Sequence, residues 1–162
     1  NALLDGFGTS LGSGSGTNLS PALLSAAFGI ITGNSTEPAS APFYTVVHPY
    51  SWEDCSQAIA VTGTYPVPTG ISQEIIANYY RTQLANTSVF VDGNLAVASN
   101  ASIGGTYGKE AIILVDYKAP SMRRQRDESL RGEEWNLIQV RGQGEYQDAW
   151  GVELNVAAST PA

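Results

Sequence analysis

Apolar and polar residues follow two different periods along this chain, and the change comes near residue 118. In the first part, Leu24, Ala27, Phe28 and Ile31 recur at helical spacing. Ser20 stands in front of them as an N-cap, and Pro21 suits the first helical position. Gly33 is expected to end this helix in the left-handed conformation. NSTEPASAP (34–42) is polar and proline-bearing, hence a loop. FYTVV (43–47) is β-branched and aromatic, which predicts a buried, central strand. A short helix over 51–60 follows, with Ser51 and Asp54 spaced as in a capping box and Trp52, Cys55 and Ile59 on one face. After a loop at 61–70, ISQEIIANYYRTQL (71–84) predicts an amphipathic helix burying Ile75, Ile76 and Tyr79. SVFV (88–91) reads as a strand closed by the Asp92-Gly93-Asn94 turn. Residues 95–108 are small and glycine-rich, and EAIILV (110–115) reads as another buried strand. Strand–helix–helix–strand order implies an α/β or α+β unit with a small mixed sheet.

From Lys118 onward, polar and apolar residues alternate, which predicts long strands near 121–129, 133–142 and 149–157. At the other end, Leu3, Leu4 and Phe7 read as the end of a helix, and the Gly/Ser run behind them as a flexible connection. NALLDGFG has the look of the tail of something longer, so a fragment or processed product is expected.

Composition narrows the picture. The 162 residues suffice for one domain, or for two small ones sharing a sheet, and 43% apolar content is ordinary for a core-forming chain. Only 14% of residues are charged, which fits a surface that packs against neighbours. The net charge of −7 argues against non-specific affinity for nucleic acid or anionic membrane over the whole surface. No apolar run approaches the ~18 residues of a membrane span. The single cysteine excludes an internal disulfide framework and a cysteine-rich zinc site.

TVVHPYSWEDC (45–55) holds the chain's only His and only Cys, together with Ser51, Glu53 and Asp54. These are the residue types of a Cys/His hydrolase, in which a base must reach a thiol of lowered pKa. Yet Cys55 falls on the apolar face with Trp52, where a lone cysteine is a small buried hydrophobe. His48 reads as a hydrogen-bonded residue at the strand end, and Glu53 and Asp54 as complements to the dipole of the first helical turn. One His among scattered carboxylates makes a poor metal site, so no metal is expected. SIGGTYGKE lacks both phosphate-binding glycine patterns, and its glycines read as turn formers, so no cofactor is expected either. In MRRQRDESLRGEEW, Arg123, Arg124, Arg126 and Arg131 are interleaved with Asp127, Glu128, Glu133 and Glu134. Balanced signs argue against a nucleic-acid patch. They leave a solvated strand face, or an interface where Arg–carboxylate pairs fix the register between copies.

Two segments resemble a known family, the major capsid proteins of tailed bacteriophages with the Hong Kong phage-type fold. One is the strand ending in VVHPYSWEDC, followed by an aromatic-containing helix. The other is RQRDESLRGEEWNLIQVRGQGEYQDAWGVELNVAA, which resembles the family's Arg-Asp segment, long strand, Gly turn and closing Gly-Val strand. With 71–84 and SVFVDGN, the likeness spans about residues 20–157. It implies an α+β architecture in two lobes. Residues 1–12 would end a spine helix of the peripheral domain. Residues 13–116 would form an axial domain, a mixed sheet flanked by helices. Residues 117–162 would supply the peripheral domain's long strands and return. The family's N-terminal arm, extended loop and most of its spine helix are not in these residues.

The resemblance further implies a non-enzymatic structural subunit of an icosahedral virion shell, assembled in the host cytoplasm. Its copies would form hexamers and pentamers around double-stranded DNA bound without sequence specificity. Portal, scaffold or decoration proteins are further partners, and no membrane is involved. The eight charged residues named above are the implied inter-subunit contacts. An encapsulin-type nanocompartment shares the fold and is the nearest alternative. A Cys/His hydrolase and a secreted binding module are more distant ones.

Overall fold

A computed structural model describes residues 3–61, 80–129 and 131–160. Among the described residues, nine strands and two α-helices appear in the order β1 (Ser10–Leu11), α1 (Pro21–Thr32), β2 (Phe43–Val47), α2 (Pro49–Val61), β3 (Tyr80–Leu84), β4 (Thr87–Val91), β5 (Val97–Ala98), β6 (Ala101–Gly108), β7 (Ile112–Asp127), β8 (Gly132–Glu145) and β9 (Gly151–Ala157). Seven strands form one mixed sheet in the order β1-β9-β6-β2-β4-β3, with β5 added beside β6. The pairs β1–β9 and β2–β4 are parallel, and the others antiparallel. The remaining two strands, β7 and β8, make a separate antiparallel ribbon.

FYTVV occupies the predicted central place, between β6 and β4. Its alternate residues Phe43, Thr45 and Val47 are buried on the face covered by the helices. There they join Leu24, Ala27 and Ile31 of α1, Trp52 and Cys55 of α2, and Val152, Leu154 and Val156 of β9. The ring of Phe28 meets that of Phe43 edge-on at 5.2 Å. Buried hydroxyls are satisfied within the sheet: Thr45 Oγ1 lies 2.9 Å from Thr106 Oγ1 and donates to Thr87 Oγ1 at 3.2 Å. The opposite face is sealed by the N-terminal segment, whose Leu4 and Phe7 pack with Leu95 and Ala111.

The start of α1 is as its sequence predicts: Ser20 Oγ accepts from the Leu23 N–H. Its end is not. Gly33 has φ −84°, outside the left-handed region. A Cβ there would lie 2.6 Å from the Gly29 carbonyl, so close approach, not positive φ, selects glycine. Leu3–Gly6 form a turn and no helix, because Leu4 and Phe7 find their apolar partners under the sheet. The Gly/Ser run is ordered as a 3₁₀ turn over Gly14–Gly16, held by the Ala157 N–H donating to Thr17 O.

The last five residues of the predicted helix 71–84, Tyr80–Leu84, are strand β3; residues 71–79 lie outside the described residues. A hairpin overrides the helical pattern. Ala85 and Asn86 both take positive φ, 49° and 60°, as a two-residue turn of matching twist demands. Ser99 and Asn100 repeat this between β5 and β6. The glycine-rich stretch 95–108 thus contains the strand that joins β9 to β2, where the sequence showed only turn formers. EAIILV is not a buried strand of its own. From Ile112 it opens β7, and Ile113, Leu114 and Val115 are exposed. The closing strand β9 lies in the seven-stranded sheet, where it pairs with β6 and β1.

Candidate functional site

The stretch 45–55 turns out to be a structural junction. Helix α2 begins at Pro49, so Ser51 lies inside it and does not cap it. The cap role falls to His48, whose carbonyl accepts from Trp52 N–H and whose Nδ1 accepts from Tyr50 N–H at 3.2 Å. Ser51 Oγ instead donates to Ala157 O at 2.7 Å, tying the helix to β9. Glu53 and Asp54 fall in the second turn, past the reach of the first-turn amides. Cys55 is fully buried, and burial with the nearby Asp54 carboxylate pushes its thiol up to about 12. A buried thiol that keeps its proton is not a nucleophile. Among the described residues, no three of His, Cys, Asp and Glu group to hold a metal.

Burial lowers the pKa of His48, and the Asp92 carboxylate offsets this in part. The unfolded chain therefore takes up a proton at ~pH 6.5 more readily than the folded one. This contribution is present above that pH and is lost as pH falls through it. His48→Asn keeps an acceptor for Tyr50 N–H and removes the titration. Thermal melts at pH 5 and pH 8 should show a smaller acid loss in that variant; an equal loss would place the acid sensitivity elsewhere.

The ribbon gathers the predicted contact residues. No described residue from Ile112 to Glu145 is buried, so β7 and β8 expose both faces. The ribbon's base is fastened where Ala111 O accepts from the Tyr146 and Gln147 amides. At the outer end, Arg124 pairs with Glu133, and Arg126 with Glu128 at 3.2 Å. Such exposed pairs contribute about 0–1 kcal/mol each, so they shape the surface more than they stabilise it. Arg123 and Glu134 occupy register positions on the other face from Arg124 and Glu133. Asp127 stands opposite Gly132 in the register, and Arg131 takes φ 51° in the turn. Nearer the base, Arg141 Nε donates to Asp116 Oδ1 at 2.9 Å.

Reading the charges alone missed the apolar residues between them. Trp135, Met122 and Leu137 lie exposed on the face of Arg124, whose guanidinium sits 5.7 Å from the Trp135 ring centroid. The signal was the two-residue spacing of Met122-Arg124-Arg126 and Glu133-Trp135-Leu137, which puts each set on one face of a strand.

No protein-family model and no curated protein sequence matches the chain. Solved structures do. A chain from Mycobacterium phage Che8 matches with TM-score 0.70 at 15% identity, over 94% of this chain and 54% of its own. A chain from the capsid of Ralstonia phage GP4 matches with TM-score 0.66 at 12% identity, over 90% and 48%. A chain from the holo-SrpI encapsulin complex of Synechococcus elongatus PCC 7942 matches with TM-score 0.65 at 12% identity, over 98% and 57%. The chain thus spans about half the length of these three structures. A mixed sheet with two helices on one face and a long two-stranded ribbon is, over nearly all of this chain, the fold of phage capsid and encapsulin shell proteins.

Proposed function

We propose that the protein is a structural, non-enzymatic subunit of an icosahedral shell, many copies of which form hexamers and pentamers around double-stranded DNA in a virion. The observation that carries this is the fold match with phage capsid chains over at least nine-tenths of the chain. Two further features support it. The ribbon is exposed on both faces, and the one reactive-looking cluster is a packed helix junction. In this reading the sheet and its helices form the lobe whose loops meet around capsomer axes. The ribbon is the lobe that reaches between capsomers, with β9 returning to the sheet. Arg123, Arg124, Arg126, Asp127, Glu128, Arg131, Glu133 and Glu134 line its outer end as inter-subunit contacts. Assembly takes place in the host cytoplasm, with portal, scaffold or decoration proteins as further partners.

The match to an encapsulin favours a second reading, a nanocompartment enclosing protein cargo. Electron microscopy of the purified full-length protein is expected to show closed particles; monomers under every assembly condition would sink both readings. Packaged double-stranded DNA in those particles supports the virion reading, and particles filled with protein and free of nucleic acid support the nanocompartment.

A further inference from the structure

Four segments of the chain meet at the base of the ribbon, and residues 145–150 join them. Glu145 ends β8 opposite Ile112, where β7 begins. The residues after it bind three neighbours in turn. The Tyr146 and Gln147 amides donate to Ala111 O, just ahead of β7. In the 34–42 loop, Glu37 accepts from Gln147 Nε2 through its side chain and from Trp150 Nε1 through its carbonyl. Asp148 Oδ1 accepts from the Gly8 N–H at 2.5 Å, and a Cβ on Gly8 would fall 2.7 Å from Asp148 Oδ2. The Asp148 carboxylate is therefore seated on the N-terminal segment 3–9, at the point where the chain passes from the ribbon to β9.

Glu145 hydrogen-bonds the same Asp148 side chain. Ionised carboxylates only accept, so this bond exists only while one of the two groups carries a proton. Desolvation at the ribbon base, then the hydrogen bond and charge of Asp148, raise the Glu145 carboxyl above the ordinary glutamate range. The other charges on the elements gathered here are Asp5 on the N-terminal segment, Glu37 on the loop, and Lys109 and Glu110 ahead of β7. Glu37 is engaged by Gln147. Arg141, on the same face of β8 as Glu145, is four residues along the strand and held by Asp116. We propose that Glu145 and Asp148 form a one-proton latch between the base of the ribbon and the N-terminal segment. With the proton in place, Glu145 donates to Asp148 and the latch is closed. Without it, two like charges face each other and the end of β8 parts from Asp148. The opening is local, because Leu4 and Phe7 stay packed and the Glu153 N–H still donates to Thr9 O. A carboxyl with a raised folded pKa contributes in full below the ordinary glutamate value of about 4.3, and the contribution is lost as pH rises through the raised value. The latch therefore closes in acid and opens toward neutral pH. It is built from this chain's own residues and does not rest on the shell reading.

Hydrogen exchange of the full-length protein tests this, with rates corrected for the intrinsic pH dependence of amide exchange. Between pH 4 and pH 8 the Gly8, Tyr146 and Gln147 amides are expected to lose protection several-fold, while the Glu153 amide keeps its own. Glu145→Gln replaces the titrating donor with an amide that donates to Asp148 at every pH. Its three amides are expected to stay at the acid level of protection throughout. Glu37→Gln is the control and is expected to show the same fall as the unmodified protein. A flat profile in the unmodified protein overturns the latch. So does a fall that persists in Glu145→Gln, or one that Glu37→Gln abolishes, since either places the titrating group elsewhere. Loss of protection at Glu153 together with the other three overturns it too, because the change would then be a general loosening of the sheet edge.

Discussion

Gly104→Val is expected to cost about 3–5 kcal/mol and to leave little folded protein at ordinary temperature. Gly104 lies in β6, between β9 and β2, opposite Leu154. A Cβ at this position would fall on the Val46 carbonyl oxygen and 3.3 Å from both Val47 Cα and Val47 Cγ1. Most of that wall is backbone, so no rotamer change relieves the clash. The strands would have to separate along the β2–β6 ladder, beside the buried Thr45–Thr106 hydroxyl pair. Against a total stability of about 5–15 kcal/mol, such a loss is a large share. Gly93→Ala is the control, because nothing lies within 4 Å of its Cβ position. Urea midpoints of the two variants check the claim, and similar midpoints would mean that β6 and β2 can part at little cost.

Phe7→Ala is the second large effect, at about 3–5 kcal/mol for removal of a buried aromatic ring. Phe7 is buried against Gly151, where any side chain would collide with its ring. Together with Leu4 it covers the sheet face that the helices leave open. The same segment holds the sheet edge through the Glu153 N–H donating to Thr9 O at 2.8 Å, and through Gly8 N–H donating to Asp148 Oδ1. Truncating the ring should therefore lower the denaturation midpoint and speed hydrogen exchange at the Glu153 amide. Unchanged stability would mean that residues 3–9 decorate the sheet without sealing it.

Those two sites lie in segments whose sequence pattern pointed elsewhere, and the cause is the same. Leu3, Leu4 and Phe7 have a spacing that fits a helix end, yet Leu4 and Phe7 pack with Leu95 and Ala111, roughly ninety or more residues away. The glycines of 101–108 look like turn formers, but they leave room for β2 and for Leu4 to lie against β6. Tyr80–Leu84 carries part of a helical pattern, and the two positive-φ residues behind it turn it into a hairpin strand. Ala85 is not a residue that marks such a turn.

At the ribbon, the alternation after Lys118 correctly predicted long strands, because a period of two needs no partner to be read. Which charges meet depends on the register, and the register follows from hairpin geometry and the bulges between Asp116 and Ser121. The interleaved Arg and Glu residues were legible as a balanced surface. That Trp135 lies under Arg124, with Met122 and Leu137 beside it, required the pairing of β7 with β8.

By itself the sequence determined what local chemistry controls. Ser20-Pro21 starts α1, FYTVV is a buried strand, Asp92 closes a turn on Asn94 N–H, and the charged tail alternates. It also placed Cys55 on a packed face, where burial holds its proton. Only the tertiary structure decided that Ser51 ties α2 to β9 while His48 caps the helix, because the Ala157 carbonyl is supplied by a strand about a hundred residues later. It alone put β9 in the seven-stranded sheet and left β7 and β8 outside it. Long-range pairing of this kind follows from which apolar faces can be buried together. A single segment does not carry that information, since its face is complete only when the distant strand is in place.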